Sequence, residues 1–233
     1  IKDFVIKVSS NSEKIFLLTK VLESKISLKN LLKKQKIKFL SINFNNFEIN
    51  LDTKNLNKYK NIFKNEVNYI PLYLKKGKII FSDGREYIST ISSAFLDLRF
   101  IKDSHKIKLN GEFLDDKISV TLKSKKIDNK QLTDIIFKMS DLNLLTELSI
   151  SSPELDKNNG SGTILLKQRK NKITSIFDYK DKEINIKKSN VSNNFFSGKL
   201  DGKILLKPFF DFDLNLNLNS IYFTKLYKSF LSL

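Results

Sequence analysis

The stretch Phe212-Asp213-Leu214-Asn215-Leu216-Asn217-Leu218-Asn219 decides the fold class. Every even position is apolar, and every odd one is Asp or Asn. At the 3.6-residue period of a helix the leucines would scatter around the whole circumference. At the two-residue period of a strand, Phe212, Leu214, Leu216 and Leu218 share one face. Asp and Asn are weak strand formers, so the alternation itself has to supply the stability.

The same pattern recurs along the chain. Ile118, Val120 and Leu122 are in phase within 117–123, Ile107 and Leu109 within 105–110, and Phe47, Ile49 and Leu51 within 46–51. Leu96, Leu98 and Phe100 follow it, as do Ile184 with Ile186 and, less cleanly, Leu144, Leu148 and Ile150. Segments 163–167 and 173–179 complete the set. Turn signals separate these runs at 82–85, 114–117, 179–182 and 200–203. Asp201-Gly202 is the strongest of them, because both residues tolerate the positive φ of a tight hairpin. Asp156 to Gly162 reads as a longer polar loop. Short turns between neighbouring runs predict an antiparallel meander. Gly111 to Ile118 and Gly198 to Ile204 share a Gly, a Leu-Asp turn and a Lys-Ile start, the mark of one hairpin solution used twice.

Helix is a minority. Ser12 is placed to cap a helix carrying Ile15, Leu18 and Leu22. Ser27 is placed to cap another, with Leu28, Leu31 and Leu32 on one side and lysines near its end. From Phe223, the residues Leu226, Tyr227, Phe230 and Leu231 fall at helical spacing. Residues 1–35 therefore read as a short, partly helical lead-in, and 36–233 as one β segment. The chain starts at Ile1 and stops at Leu233 inside an apolar pattern, so both ends are expected to be cuts in a longer protein.

Composition narrows the function. Hydrophobic residues make up 40% and aromatics 11%, too much for a disordered chain. No window holds the roughly 18 consecutive apolar residues of a membrane-spanning helix, and no signal peptide is visible. Without cysteine, disulfides, thiol nucleophiles and Cys-based zinc sites are excluded. The net charge of +17 invites a nucleic-acid or anionic-membrane partner. Only Arg85, Arg99 and Arg169 are arginine, however, and the lysines spread evenly. With abundant Asn and Ile, that bias is the mark of an A/T-rich genome.

Catalytic groups are scarce. His105 is the one histidine and opens a strand, so it is expected to face solvent. No nucleophile elbow and no phosphate-binding glycine loop occurs. Asp115-Asp116 lies in a turn, and Asp211 with Asp213 falls on a polar strand face. Turn chemistry and solubility account for both pairs. The sequence calls for no catalytic residue, no metal and no cofactor, and predicts a non-enzymatic protein.

The C-terminal third resembles a known family. Residues 176–190 lead to Phe196-Ser197-Gly198-Lys199-Leu200-Asp201-Gly202-Lys203, then to Pro208-Phe209-Phe210-Asp211-Phe212-Asp213-Leu214. This is similar to AsmA-family proteins in the Lys- and Asn-rich form of marine α-proteobacteria, and 109–122 with 125–130 fit it too. The resemblance extends over roughly 36–233. It implies a periplasmic protein, anchored in the inner membrane by a segment outside this chain, that supports outer-membrane assembly. It also implies an extended, curved antiparallel sheet forming an open groove that conducts phospholipid acyl chains, with a possible partner for outer-membrane assembly. The groove candidates are Phe212, Leu214, Leu216 and Leu218, with Ile118, Val120 and Leu122. The residues alone leave two other readings open. One is a β-sandwich or adhesin-like module whose apolar face is its core; the other, ranked last, is a basic nucleic-acid-binding module.

Overall fold

The computed structural model describes residues 2–7, 15–27, 32, 39–55, 70–101, 103–156, 158–206 and 209–231. The fold is mainly β. The strands are β1 (Lys2–Lys7), β2 (Ile15–Ile26), β3 (Phe39–Asp52), β4 (Leu72–Asp83), β5 (Glu86–Ile101), β6 (Ser104–Phe113) and β7 (Asp116–Ile127). There follow β8 (Lys130–Met139), β9 (Leu144–Pro153), β10 (Asn159–Gln168), β11 (Asn171–Lys180), β12 (Glu183–Ser192), β13 (Phe196–Leu205) and β14 (Asp211–Ile221). Helix α1 (Phe223–Leu231) comes last. Strand order in the sheet is the order of the chain. Among the described registers, all are antiparallel except that of β3 with β4, which run parallel.

Every alternating run read from the sequence falls inside a strand, and α1 starts at Phe223 as its spacing predicts. Three of the predicted tight turns carry positive φ: Leu114 (50°) with Asp115 (62°), Gly84 (67°), and Asp181 (55°). Asp128 (47°) and Asn129 (61°) make another turn of the same hand.

Four expectations are corrected. The helix capped by Ser12 does not form: Ile15, Leu18 and Leu22 lie in β2, paired on both sides. Cross-strand partners outweigh a helical spacing that three aliphatic residues can satisfy by chance. Of the helix expected after Ser27, only Leu32 is described, and it is helical; the rest lies outside the described residues. Asp201-Gly202 is no turn. It sits in mid-β13, where Gly202 pairs with Ile186 on one side and Leu214 on the other. The chain turns instead at Asn193, whose side-chain carbonyl accepts the backbone N–H groups of Phe195 (2.7 Å) and Phe196 (2.9 Å). The proposed kinship between the Gly111 and Gly198 stretches fails with it, since one is a turn and the other a strand interior. The polar loop also ends earlier than expected, because β10 begins at Asn159 and takes in Gly160 and Gly162.

The chain divides into two compact units, Ile1–Thr121 and Leu122–Leu233, with the boundary inside β7. In the first unit, Leu17, Ile49, Ile79 and Ile91 align across β2 to β5, each no more than 7% exposed. Leu22, Phe44, Leu74, Leu96 and Leu109 form a second row across β2 to β6. Between the rows the backbone turns left-handed at Asn46 (52°), Lys76 (55°) and Ser93 (50°). Each such residue moves the buried set to the other parity. Phe44 gives way to Phe47 and Ile49, Leu74 to Ile79, and Ile91 to Ala94 and Leu96. Two neighbours accommodate the break. The Phe47 ring fills the space a side chain at Gly77 would need. The buried Thr19 hydroxyl donates to the Asn45 carbonyl (2.7 Å).

Polar contacts tie the other face of this unit. Arg99 donates from Nε and Nη2 to both carboxylate oxygens of Asp97, at 3.0 Å each. Lys78 meets Glu48, its register partner, at 2.9 Å. That hydrogen bond holds the Glu48 carboxyl below its ordinary value against the opposing effect of partial burial. At the end of β3, the Asp52 carboxylate accepts the N–H groups of Lys54 (3.0 Å) and Gly84 (3.2 Å), fixing the β4–β5 turn.

Candidate functional site

In the second unit, hydrogen-bonded registers bring one apolar face together from β8 to β14. One row reads Thr133, Ile150, Gly162, Phe177, Ile186, Gly202, Leu214. A second runs Phe137, Thr146, Leu166, Ile173, Val191, Gly198, Leu218. A shorter third joins Tyr179, Ile184, Ile204 and Phe212. Between the first two, Ile135, Leu148 and Ile164 lead to Ser175 and Ser189.

Glycines make this face possible. The Phe177 ring occupies the place of a side chain at Gly162, and the Tyr179 ring does the same at Gly160. Strand glycine is otherwise a weakness, and an aromatic cross-strand partner offsets it. At Lys187 and Lys188 the β12 register slips by one residue against β11. Ser189 repairs the ladder beyond the slip: its hydroxyl accepts the Leu200 N–H (2.6 Å) and donates to the Leu200 carbonyl.

Burial falls away toward β14. Phe177 and Ile186 are buried and Leu214 is half-buried, whereas Phe212 is 61% exposed and Leu216 and Leu218 are 47% exposed each. Of the seven residues singled out from the sequence, the four on β14 thus share a face with rows reaching back to β8. Ile118 is buried, and Val120 and Leu122 are half-buried along β7. The unit boundary leaves Ile118 and Val120 in the first unit and Leu122 in the second.

Sequence reasoning missed much of this face. Phe177, Tyr179, Ile204 and the β8 residues Ile135 and Phe137 went unassigned to it. The available signal was glycines of one strand parity, Gly160 with Gly162 and Gly198 with Gly202, each beside a bulky partner on the next strand.

The remaining polar chemistry is dispersed. His105 is exposed and tilts against the Phe100 ring at 5.5 Å. Among the described residues, no three His, Asp or Glu side chains gather as a metal site would need. No described helix is long and apolar enough to cross a membrane. A shallow depression of about 570 Å³ lies at the strand ends, lined by Lys130, Ser151, Asn159, Asp178 and Lys180 among others. Two buried atoms, Asn159 Oδ1 and Ser175 Oγ, have no hydrogen-bond partner among the described residues. No known protein family matches the chain, and neither a curated protein nor a solved structure does.

Proposed function

We propose that this chain is a lipid-conducting segment of an AsmA-like periplasmic protein, whose parent is anchored in the inner membrane and supports outer-membrane assembly. One observation carries the reading: the apolar rows of the second unit continue in register onto β14 and stay uncovered there at Phe212, Leu216 and Leu218. Apolar rows of that kind favour acyl chains by about 0.8 kcal/mol for each CH₂ taken out of water. Polar alternate positions (Asp213, Asn215, Asn217) keep the reverse of β14 hydrated. The abundant lysines are available to phosphate headgroups at the margins.

A photo-crosslinking residue tests this. Placed at 216 in protein made in Gram-negative cells, it should give phospholipid adducts; placed at 217, on the reverse of the strand, it should not. Leu216→Asp should abolish adducts from a crosslinker at 218. Undiminished adducts in that variant would show that this face is not the conduit.

A second reading, a structural module with a closed core, is favoured by the first unit, where Leu17, Ile49, Ile79 and Ile91 are buried together. A crosslinker at 79 that collects lipid as readily as one at 216 would remove that reading.

A further inference from the structure

We infer that α1, with Tyr222 leading into it, is a docking surface for an anionic lipid bilayer. This differs from conduction along the sheet: it needs a membrane surface, and no lipid held on the strands.

The helix is short but strongly two-sided. Positions 223, 226, 227, 230 and 231 follow the i, i+3, i+4, i+7, i+8 pattern of one face, and all are apolar or aromatic. The rest are Thr224, Lys225, Lys228 and Ser229, with no acidic residue among them. In a surface helix of a globular protein the apolar stripe turns inward. Here Phe223 is 70% exposed, Tyr227 66% and Leu231 70%. Tyr222, just before the helix, is 50% exposed as well. Lys225 sets its ammonium 4.8 Å from the Tyr222 ring.

Charge selects the occupant. A second copy of this chain would bring another +17 to the contact, and like charge opposes that association. An anionic bilayer instead attracts both helix lysines while taking up the aromatic side. Phe and Leu enter the acyl boundary, Tyr sits at headgroup level and Lys meets phosphate. A nucleic acid would answer the charge but leave the apolar stripe in water.

The chain has no tryptophan, so Tyr227→Trp in the otherwise intact protein gives a single reporter. Its emission should shift to the blue on adding phosphatidylcholine vesicles that contain phosphatidylglycerol at about a third of the lipid, and should not with phosphatidylcholine alone. Tyr87→Trp, at an exposed position on β5, should stay unshifted. Lys225→Gln with Lys228→Gln should weaken flotation of the protein with the anionic vesicles by roughly 30-fold. Unshifted emission from the Tyr227→Trp variant, an equal shift with neutral vesicles, or flotation unaffected by the lysine pair would each overturn the proposal. So would a concentration-dependent shift without vesicles accompanied by a doubled mass, which would assign the surface to a second copy. Loss of the adducts at 216 would leave these readouts unchanged, so the two readings fail separately.

Discussion

The two units are built from the same alternating strands, yet they use the apolar side of the alternation differently. In the first, strands of 12 to 16 residues from β2 to β5 carry rows buried almost completely. In the second, strands of mostly 10 residues carry equally continuous rows that grow more exposed toward β14. The left-handed residues Asn46, Lys76 and Ser93 belong to the first unit alone. They let one long strand present apolar side chains inward on both sides of a break in parity. Alternation therefore specifies which residues share a face only while the backbone stays extended; at Asn46, Lys76 and Ser93 the parity changes.

The sharpest break in this comparison is Ile79→Ala. It removes the centre of a buried row and should cost about 2–5 kcal/mol in a urea denaturation series. Leu216→Ala, an equal truncation on the exposed row, should fall far below that; an equal cost for both would erase the distinction between the units. Next, Gly77→Ala should cost about 1–3 kcal/mol, because the added methyl must displace the Phe47 ring and its backbone carbonyl. Within the second unit, Ser189→Ala leaves the N–H and carbonyl of Leu200 without their partner and should cost about 1–3 kcal/mol. Ser189→Thr, which keeps the hydroxyl, should recover much of that loss.

The smallest effect concerns the Glu48–Lys78 pair. Glu48 has a depressed pKa when folded, so its contribution is present above the ordinary carboxylate range and is lost as pH falls through the folded value. Glu48→Gln should therefore lower stability by under about 1 kcal/mol at neutral pH. At pH well below the carboxylate range it should match wild type. A difference that persists in acid would mean that the side chain packs rather than pairs.

Much of the β architecture was legible in sequence, because a strand is the regular structure that repeats every two residues, as Phe212–Asn219 and Lys117–Lys123 do. β4 was not legible, since Leu72 and Leu74 fall on one parity and Ile79 and Phe81 on the other, and Lys76 hides the strand from any single-period reading. β8 was obscured by Ile135 and Ile136 standing side by side. Asp201-Gly202 misled for a related reason: a turn-prone pair is tolerated in mid-strand where Leu214 and Ile186 pair across it. Of the apolar face, the β14 residues were visible as a run, but their neighbours were not. Register links Leu218 to Gly198 and Val191, and register is a property of pairs of strands that no one segment carries.

The parallel pairing of β3 with β4 bears on how the chain reaches this state. Most of the other described pairs join strands adjacent in sequence through short connections, so hairpins from β8 onward can form by closing small loops, quickly and without waiting for distant segments. β3 and β4 run the same way, so the chain must travel back from Asp52 to Leu72 before a single bond between them can form. Their association is then the step with the largest closure entropy, and it joins Phe44 to Leu74 and Ile49 to Ile79 at once. On this topology the first unit is expected to fold at the pace of that docking event, and the second to assemble hairpin by hairpin.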